Sequence, residues 1–149
     1  MALEKDIHQS KEFRNERHKA LVNLIYSFNW VKNNLQTIFE REGISMQQYN
    51  ILRILNGSDI PISTLDIRER MLDKMSDTSR IVDRMVLKKL VKKKLSKIDK
   101  RLVDITITPK GKALLAKLDA YNHEIDGIIS SLTLNEAAVL SNLLDKMRG

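Results

Sequence analysis

Residues 76–88 combine small hydroxyl side chains with a row of basic ones. Arg80, Arg84 and Lys88 follow one another at intervals of four, so on a helix they lie in one row. An arginine can hydrogen-bond guanine O6 and N7 together or bind a phosphate, and short polar groups at the start of such a helix can reach base edges and backbone. We therefore predict contacts with a nucleic acid for Ser76, Thr78, Ser79, Arg80, Arg84 and Lys88. The alternative is a solvated helix face that forms only weak surface ion pairs.

A second charged group lies between two segments with the pattern of β-strands. Asp99 and Arg101 are two residues apart, so both side chains can emerge on one side of a hairpin and the carboxylate can hold the guanidinium extended. An arginine held in this way suits a narrow DNA minor groove, where the negative potential is enhanced. Attraction to phosphates is predicted for Lys92, Lys93, Lys94, Lys97 and Lys100. The alternative is a turn that is polar only because turns are exposed.

The positive charge of the chain is concentrated in one region. The 149 residues carry a formal net charge of +7, and residues 88–112, with ten basic and two acidic side chains, carry +8 of their own. The remainder has a net charge of −1, which indicates a localised surface for a polyanion. The length fits one domain. The chain has no cysteine, which excludes disulfides, thiolate metal sites and redox sensing through a thiol.

The elements that must position these residues are mostly helical. No helix breaker occurs between Ser10 and Glu42, and Gly43 can end a helix there. Apolar residues in this segment alternate spacings of three and four, as in a coiled coil: Leu21, Leu24, Phe28, Val31, Leu35 and Ile38. Such a helix would be about 50 Å long, more than a domain of this size can cover, so we expect part of it to meet a second copy of the chain.

The remaining pattern predicts short helices, a hairpin and further helices. Capping boxes or N-caps are predicted at Ser45, at Ser63, at Ser76 or a neighbour, at Thr108 and at Thr133. Strands are predicted over residues 90–96 and 103–108, and one long helix over 109–132. The predicted fold class is mainly α with a small β-hairpin. Three regions follow: an N-terminal dimerisation helix (1–43), a helix-turn-helix lobe with a hairpin (44–111) and C-terminal dimerisation helices (112–149).

Two motifs at matched spacing resemble those of a known family. Five residues separate Asp99-Lys100-Arg101 from Ile107-Thr108-Pro109-Lys110-Gly111, a pattern similar to the D-x-R wing followed by L-T-x-x-G in MarR-family transcriptional regulators. The segment 80–85 resembles the core of that family's recognition helix. The sequence departs from the family at Lys89, where glycine is usual, at Lys100, where arginine is frequent, and at Leu95, often polar or proline.

The resemblance implies a winged helix-turn-helix with long dimerisation helices from both termini. It implies a homodimer that straddles a pseudopalindromic operator, with the helix over 77–88 in the major groove, and Arg101, supported by Asp99, in the minor groove. The function it implies is a sequence-specific regulator of transcription that binds double-stranded DNA, acting as a repressor that responds to a ligand.

MarR-like regulators often sense small aromatic or anionic molecules in a crevice beside the dimer helices. Tyr26 and Trp30 form an aromatic pair off the heptad seam, and with His18 and Tyr49 they could line such a crevice. The alternative for these four residues is packing between the long helix and the lobe.

Other functions find less support in the residues. His8, His18 and His123 lack metal-ligand spacing, and no glycine-rich phosphate loop or nucleophile elbow is present, so no enzyme, metal or cofactor is predicted. No apolar run reaches the length of a membrane span, and the first residues do not form a signal peptide, so we expect a cytoplasmic protein that does not bind membranes. Two rivals remain: a winged-helix adaptor whose basic hairpin binds an acidic protein, and a peripheral binder of anionic membrane surfaces.

Overall fold

The computed structural model describes residues 2–149, which form eight helices and three short strands. In chain order these elements are α1 (Leu3–Asp6), α2 (Glu16–Glu40), α3 (Met46–Asn56), β1 (Ile62–Ser63), α4 (Thr64–Arg70), α5 (Thr78–Leu87), β2 (Val91–Leu95), β3 (Val103–Ile107), α6 (Pro109–Asp119), α7 (Asn122–Gly127) and α8 (Leu134–Arg148). The mainly helical class and the hairpin are thus confirmed.

The strands form one antiparallel sheet in the order β1-β3-β2. In the hairpin Val91 lies opposite Ile107 and Leu95 lies opposite Val103. Strand β1 adds a third member, with Ile62 opposite Ile105. The sequence pattern did not predict β1, because a strand of two residues is too short to show an alternation of period two.

One hydrophobic core holds these elements together. Its fully buried side chains come from α3, α4, α5, the sheet and α6, and the largest include Ile51, Ile67, Met85, Ile105 and Leu118. Phe39, near the end of α2, belongs to the same core, as does Leu115. The C-terminal end of α2 and helix α6 therefore pack into the same core as the helix-turn-helix lobe. The core contains residues from both sides of the predicted boundaries at 43/44 and 111/112, so it does not mark them. The division into three regions remains a prediction.

The first long helix is shorter than predicted. It begins at Glu16 and not near Ser10, because Asn15 is the N-cap and its side chain accepts a hydrogen bond from the backbone N–H of His18. At 25 residues α2 is about 37 Å long. It ends at Glu40, two residues before the end predicted from Gly43, and a turn leads from there to Gly43, which has a φ of +69°. The predicted caps at Ser45, Ser63, Thr108 and Thr133 are all present.

The single helix predicted over 109–132 is divided into α6 and α7. The backbone N–H groups of Ala120 and Tyr121 donate to carbonyls three residues earlier, on Lys117 and Leu118, so the helix tightens and α6 ends. The Tyr121 hydroxyl donates to a carboxylate oxygen of Glu42 at 2.9 Å, which ties the break to the end of α2. Neither a proline nor a glycine marks this break, so the sequence carried no local signal for it.

The turn between α5 and β2 contains a strained residue. Lys89 has a φ of +60°, in the left-handed region that glycine occupies without cost. Its N–H donates to the Val86 carbonyl at 2.9 Å, and the Leu90 N–H donates to the Met85 carbonyl at 3.0 Å, which is the Schellman motif. The turn therefore adopts positive φ with a lysine where the MarR pattern has glycine.

Replacing Lys89 with glycine should raise the free energy of unfolding by about 1 kcal/mol, because it removes the side-chain cost of the left-handed conformation. Urea denaturation of the wild type and the variant measures the difference. Lys89→Ala removes the same charge but keeps a Cβ, so its stability should stay near that of the wild type. Equal stabilisation by both variants would assign the effect to charge and not to backbone strain.

Candidate nucleic-acid interface

Helix α5 presents two arginines to solvent. Asp77, the neighbour of Ser76, is its N-cap, which the prediction of Ser76 or a neighbour allowed, and the Asp77 carboxylate accepts a hydrogen bond from the Arg80 N–H at 3.2 Å. Val82 and Met85 are buried against the core, while Ser79, Arg80 and Arg84 are exposed. Packing of the inner face thus fixes the helix and leaves the arginines free.

Two other residues predicted to contact nucleic acid, Ser76 and Thr78, are less exposed than the arginines. Thr78 is only 3% exposed, and its hydroxyl is without a hydrogen-bond partner in the described part of the chain. It shares a helix face with Val82 and Met85, four and seven residues on, so it faces the core. Ser76 is half-buried, and its hydroxyl donates to the Asp73 carbonyl at 2.7 Å.

Lys88 does not continue the basic row. It follows the last residue of α5, and its ammonium donates to the Gly43 carbonyl at 2.6 Å and to the side-chain oxygen of Gln48 at 3.2 Å. The side chain therefore ties the end of α5 to the connection between α2 and α3. The helical periodicity that placed Lys88 with the arginines does not include contacts with residues distant in the sequence, such as Gly43.

The hairpin of β2 and β3, here called the wing, has the predicted charge pair at its tip. The Arg101 guanidinium donates two hydrogen bonds to the Asp99 carboxylate, at 3.1 Å from Nε and 3.0 Å from Nη2, and the Arg101 backbone N–H donates a third at 3.0 Å. The Arg101 side chain is nevertheless 90% exposed. The hydrogen bonds from Arg101 lower the pKa of the Asp99 carboxyl, so the carboxylate is ionised at neutral pH. The pair leaves the outer part of the guanidinium free.

The lysines of the hairpin are exposed but not equivalent. Lys93 donates to the Asp83 carboxylate of α5 at 2.8 Å, so an ion pair links α5 to β2. Part of its charge is therefore already neutralised. The other four lysines predicted to attract phosphates, all of them exposed, are Lys92, Lys94, Lys97 and Lys100.

A groove of about 590 Å³ runs between α4, the start of α5 and the wing. Ser79, Lys93 and Arg101 line it together with Arg68 of α4, which the sequence interpretation did not include. The signal for Arg68 was its place on the first helix of the helix-turn-helix, facing the second across a short connection. The groove brings basic groups of three elements to one face of the lobe.

The base of the wing is fastened to α6 by close packing. The Thr108 hydroxyl donates to the Lys89 carbonyl at 2.7 Å or the Leu90 carbonyl at 3.0 Å, and it accepts a hydrogen bond from the Gly111 N–H at 3.0 Å. A Cβ at Gly111 would lie 2.4 Å from the Leu90 carbonyl oxygen. The Thr-Pro-Lys-Gly motif therefore has a structural role, which is to join α6 to the turn that follows α5.

The four aromatic and imidazole residues of the predicted crevice do not converge within one chain. His18 packs edge-on against Phe13, with ring centroids 5.5 Å apart. Tyr49 stacks on Phe39 at 4.4 Å and its hydroxyl accepts a hydrogen bond from Arg53 at 2.9 Å, so it packs between helix and lobe. Tyr26 and Trp30 lie exposed on α2. The crevice therefore remains a prediction that would need a second chain.

Residues 2–149 include no helix with both the length and the apolar character required to cross a membrane. In the same residues no group of three or more histidine, aspartate or glutamate side chains is placed to hold a metal ion.

Comparison with known proteins gives the following relatives. No family model matches the chain. The HTH-type transcriptional regulator TcaR of Staphylococcus aureus is 36% identical over 94 residues, which are 62% of this chain, and the chain spans 59% of the length of that relative. A variant of E. coli MarR complexed with operator DNA has a TM-score of 0.78 at 23% identity, covering 92% of this chain and 99% of that one.

A third relative is a structure of Bordetella bronchiseptica BpsR that concerns regulation of its DNA binding by 6-hydroxynicotinic acid. It has a TM-score of 0.71 at 21% identity, covering 85% of this chain and 96% of that one. The helix order and the hairpin agree with these likenesses. The chain therefore has the winged helix-turn-helix fold of MarR-family transcriptional regulators, and the resemblance to that family seen in its motifs is confirmed.

Proposed function

We propose that this protein is a sequence-specific regulator of transcription that binds double-stranded DNA. The observation that carries the proposal is the placement of Arg80, Arg84 and Arg101, all exposed, on two neighbouring elements of one lobe. Arginine side chains of this kind serve both base recognition and phosphate binding. The operator complex of E. coli MarR, which shares the fold, supports the same use of the surface.

The shapes of the two elements suit different grooves. Helix α5 fits the major groove, which is wide enough for a helix, and it would present Ser79, Arg80 and Arg84 to base edges and phosphates. The wing is narrower, and Arg101 at its tip suits the minor groove. Asp99 holds the guanidinium in one orientation before binding, so less conformational entropy is lost in the complex.

We propose a homodimer on a pseudopalindromic operator. Leu21, Ile25 and Phe28 in the first half of α2 are each more than half exposed, whereas Ile38 at its inner end is buried. Helix α8 buries no side chain, and its exposed apolar residues are Leu134, Val139, Leu140, Leu143 and Met147. Apolar surface of this extent on two long helices favours association with a second copy. Two lobes related by two-fold symmetry then bind half-sites related in the same way.

We further propose that a small aromatic or anionic ligand releases a repressor from its operator. The support is BpsR, whose structure concerns regulation of DNA binding by such a molecule. A ligand can act only by binding one dimer shape more tightly than another, here the shape with lobes wrongly spaced for adjacent major grooves. A regulator of this kind is not an enzyme, and we propose a cytoplasmic location. The likeness to an operator complex does not favour the alternative function, a winged-helix adaptor whose basic hairpin binds an acidic protein.

Selection of random DNA duplexes on the purified protein tests the function. We expect enrichment of one consensus with two-fold symmetry, and analytical ultracentrifugation should show a dimer. A monomer, or failure to enrich any duplex at low salt, would contradict the proposal. Release of the selected duplex in a screen of aromatic acids would then identify the class of ligand.

Replacing Asp83 with asparagine should increase affinity for all duplexes several-fold, because it frees Lys93 for a phosphate and removes a negative charge from α5. The slope of log affinity against log salt should become steeper by about 0.9, the value for one additional phosphate contact. Asp145→Asn is the matched control, since Asp145 pairs with Arg148 at the end of α8. A gain confined to one sequence would show that Lys93 reads bases and does not bind phosphate.

A further inference from the structure

An isoleucine at the apex of the wing is fully exposed to solvent. Ile98 is 100% exposed, the highest value among the large apolar side chains of the described residues. Leu95, on the same hairpin, is 70% exposed. Burial of an apolar side chain is favourable, so binding of a partner that covers Ile98 would be stabilised by the removal of this side chain from water.

The turn that presents Ile98 is held by hydrogen bonds. The Ser96 hydroxyl accepts from the backbone N–H groups of Ile98 and Asp99, at 3.2 and 3.3 Å. The Ser96 N–H donates to the Leu102 carbonyl at 3.0 Å, and the Leu102 N–H donates to the Asp99 carbonyl at 2.9 Å. The apolar side chain is therefore presented by an ordered turn and not by a loose loop.

The surroundings of Ile98 are cationic. Lys97 precedes it, and Lys100 and Arg101 follow within three residues, while the one nearby acidic residue, Asp99, is paired with Arg101. This charge pattern is complementary to a polyanion. The minor groove of DNA has phosphates at its edges and apolar sugar and base surface inside, and proteins that bind there insert apolar side chains between base steps.

We propose that Ile98 is a contact residue of the wing that packs against sugar and base edges in the DNA minor groove beside Arg101. It thereby makes binding depend on how readily the base steps under the wing open, because an inserted side chain must widen or unstack them. This inference rests on the proposed function and adds a second determinant of specificity to Arg101. Arg101 responds to the negative potential of the groove, whereas Ile98 responds to its deformability.

The test uses the full-length protein and the duplex that the wild type selects from a random library. Ile98→Ser should lower affinity for this duplex about 10-fold, and Ile98→Val, which keeps the branched shape, should lower it less than about 3-fold. Ile60→Ser is the matched control, because Ile60 is 73% exposed in the connection between α3 and β1, outside the basic segment. It should bind as the wild type does. Thermal unfolding should be unchanged for Ile98→Ser, since the side chain makes no buried contact.

A second measurement separates a minor-groove contact from general adhesion. Hydroxyl-radical footprinting locates the base steps under the wing, and these are changed from pyrimidine–purine steps to a stiff A-tract. The narrow groove of an A-tract favours Arg101 equally in both proteins, so the affinity of the wild type relative to that of Ile98→Ser should fall on the changed duplex. Wild-type affinity in Ile98→Ser, or an equal response of both proteins to the changed steps, would overturn the inference while leaving the proposed function intact. Failure of the wild type to select any duplex would instead refute the proposed function.

Discussion

Replacing Arg101 with alanine is expected to weaken binding to the selected duplex by about 1–3 kcal/mol, or about 5- to 150-fold. The side chain is 90% exposed and, among residues 2–149, hydrogen-bonds only to Asp99, so its loss leaves the core of the lobe intact. The unfolding temperature should therefore stay near that of the wild type. Fluorescence anisotropy with the selected duplex measures the affinity, and the preference for base pairs that flank the major-groove contacts should relax.

A charge-matched control separates the wing from general electrostatics. Arg148→Ala removes an exposed arginine that is also paired with an aspartate, but at the end of α8. It should weaken binding much less than Arg101→Ala. Asp99→Asn should have an intermediate effect, because the guanidinium remains while the ionic hydrogen bonds that orient it are lost. Equal losses for Arg101→Ala and Arg148→Ala would show that total charge, and not the wing, controls the affinity.

Replacing Gly111 with alanine is expected to lower the free energy of unfolding by about 3 kcal/mol. The added Cβ would lie 2.4 Å from the Leu90 carbonyl oxygen and 2.8 Å from a side-chain carbon of Ile107, so backbone atoms would have to move. Those atoms belong to the turn after α5 and to β3, which position the wing. Chemical denaturation measures the loss, and DNA affinity should fall with it because the wing and α5 no longer keep their relative positions.

Gly127 provides the comparison. It also lies in a helix, α7, but a Cβ at this position meets no atom within 4 Å. Gly127→Ala should therefore be neutral or raise stability by up to about 1 kcal/mol through helix propensity. A similar loss of stability for both alanine variants would mean that the packing of Gly111 against Leu90 is not the cause.

Arg101 and Gly111 illustrate two roles within one family motif. Arg101 should affect affinity with little change in stability, because its side chain extends into solvent. Gly111 should affect stability first, because it permits α6 to approach the backbone at Leu90. The motif that carried the resemblance thus combines a residue for contact with a residue for architecture, and stability and affinity measured together distinguish them.

Local interactions were predictable from the residues alone. The capping box at Ser45, the N-cap at Thr108 and the pair of Asp99 with Arg101 each join residues no more than three apart, and all are present. The hairpin followed from an alternation of period two, and α2 ends within three residues of Gly43, which the sequence marked as its stop. Interactions over such short separations depend little on the rest of the chain, so sequence spacing is sufficient to predict them.

The tertiary structure decided every feature that depends on which distant segments meet. Thr78 carries a polar group suited to DNA contact, yet the packing of α5 turns it into the core beside Val82. Lys88 reaches Gly43, 45 residues away, and Tyr121 reaches Glu42, 79 residues away, where helix α6 also ends. Spacing along the chain assigned these side chains to helix faces, but the side of a helix that becomes buried is set by its neighbours in space. The basic segment itself was visible in the sequence, whereas the subset of its cations left free for a ligand was determined by packing.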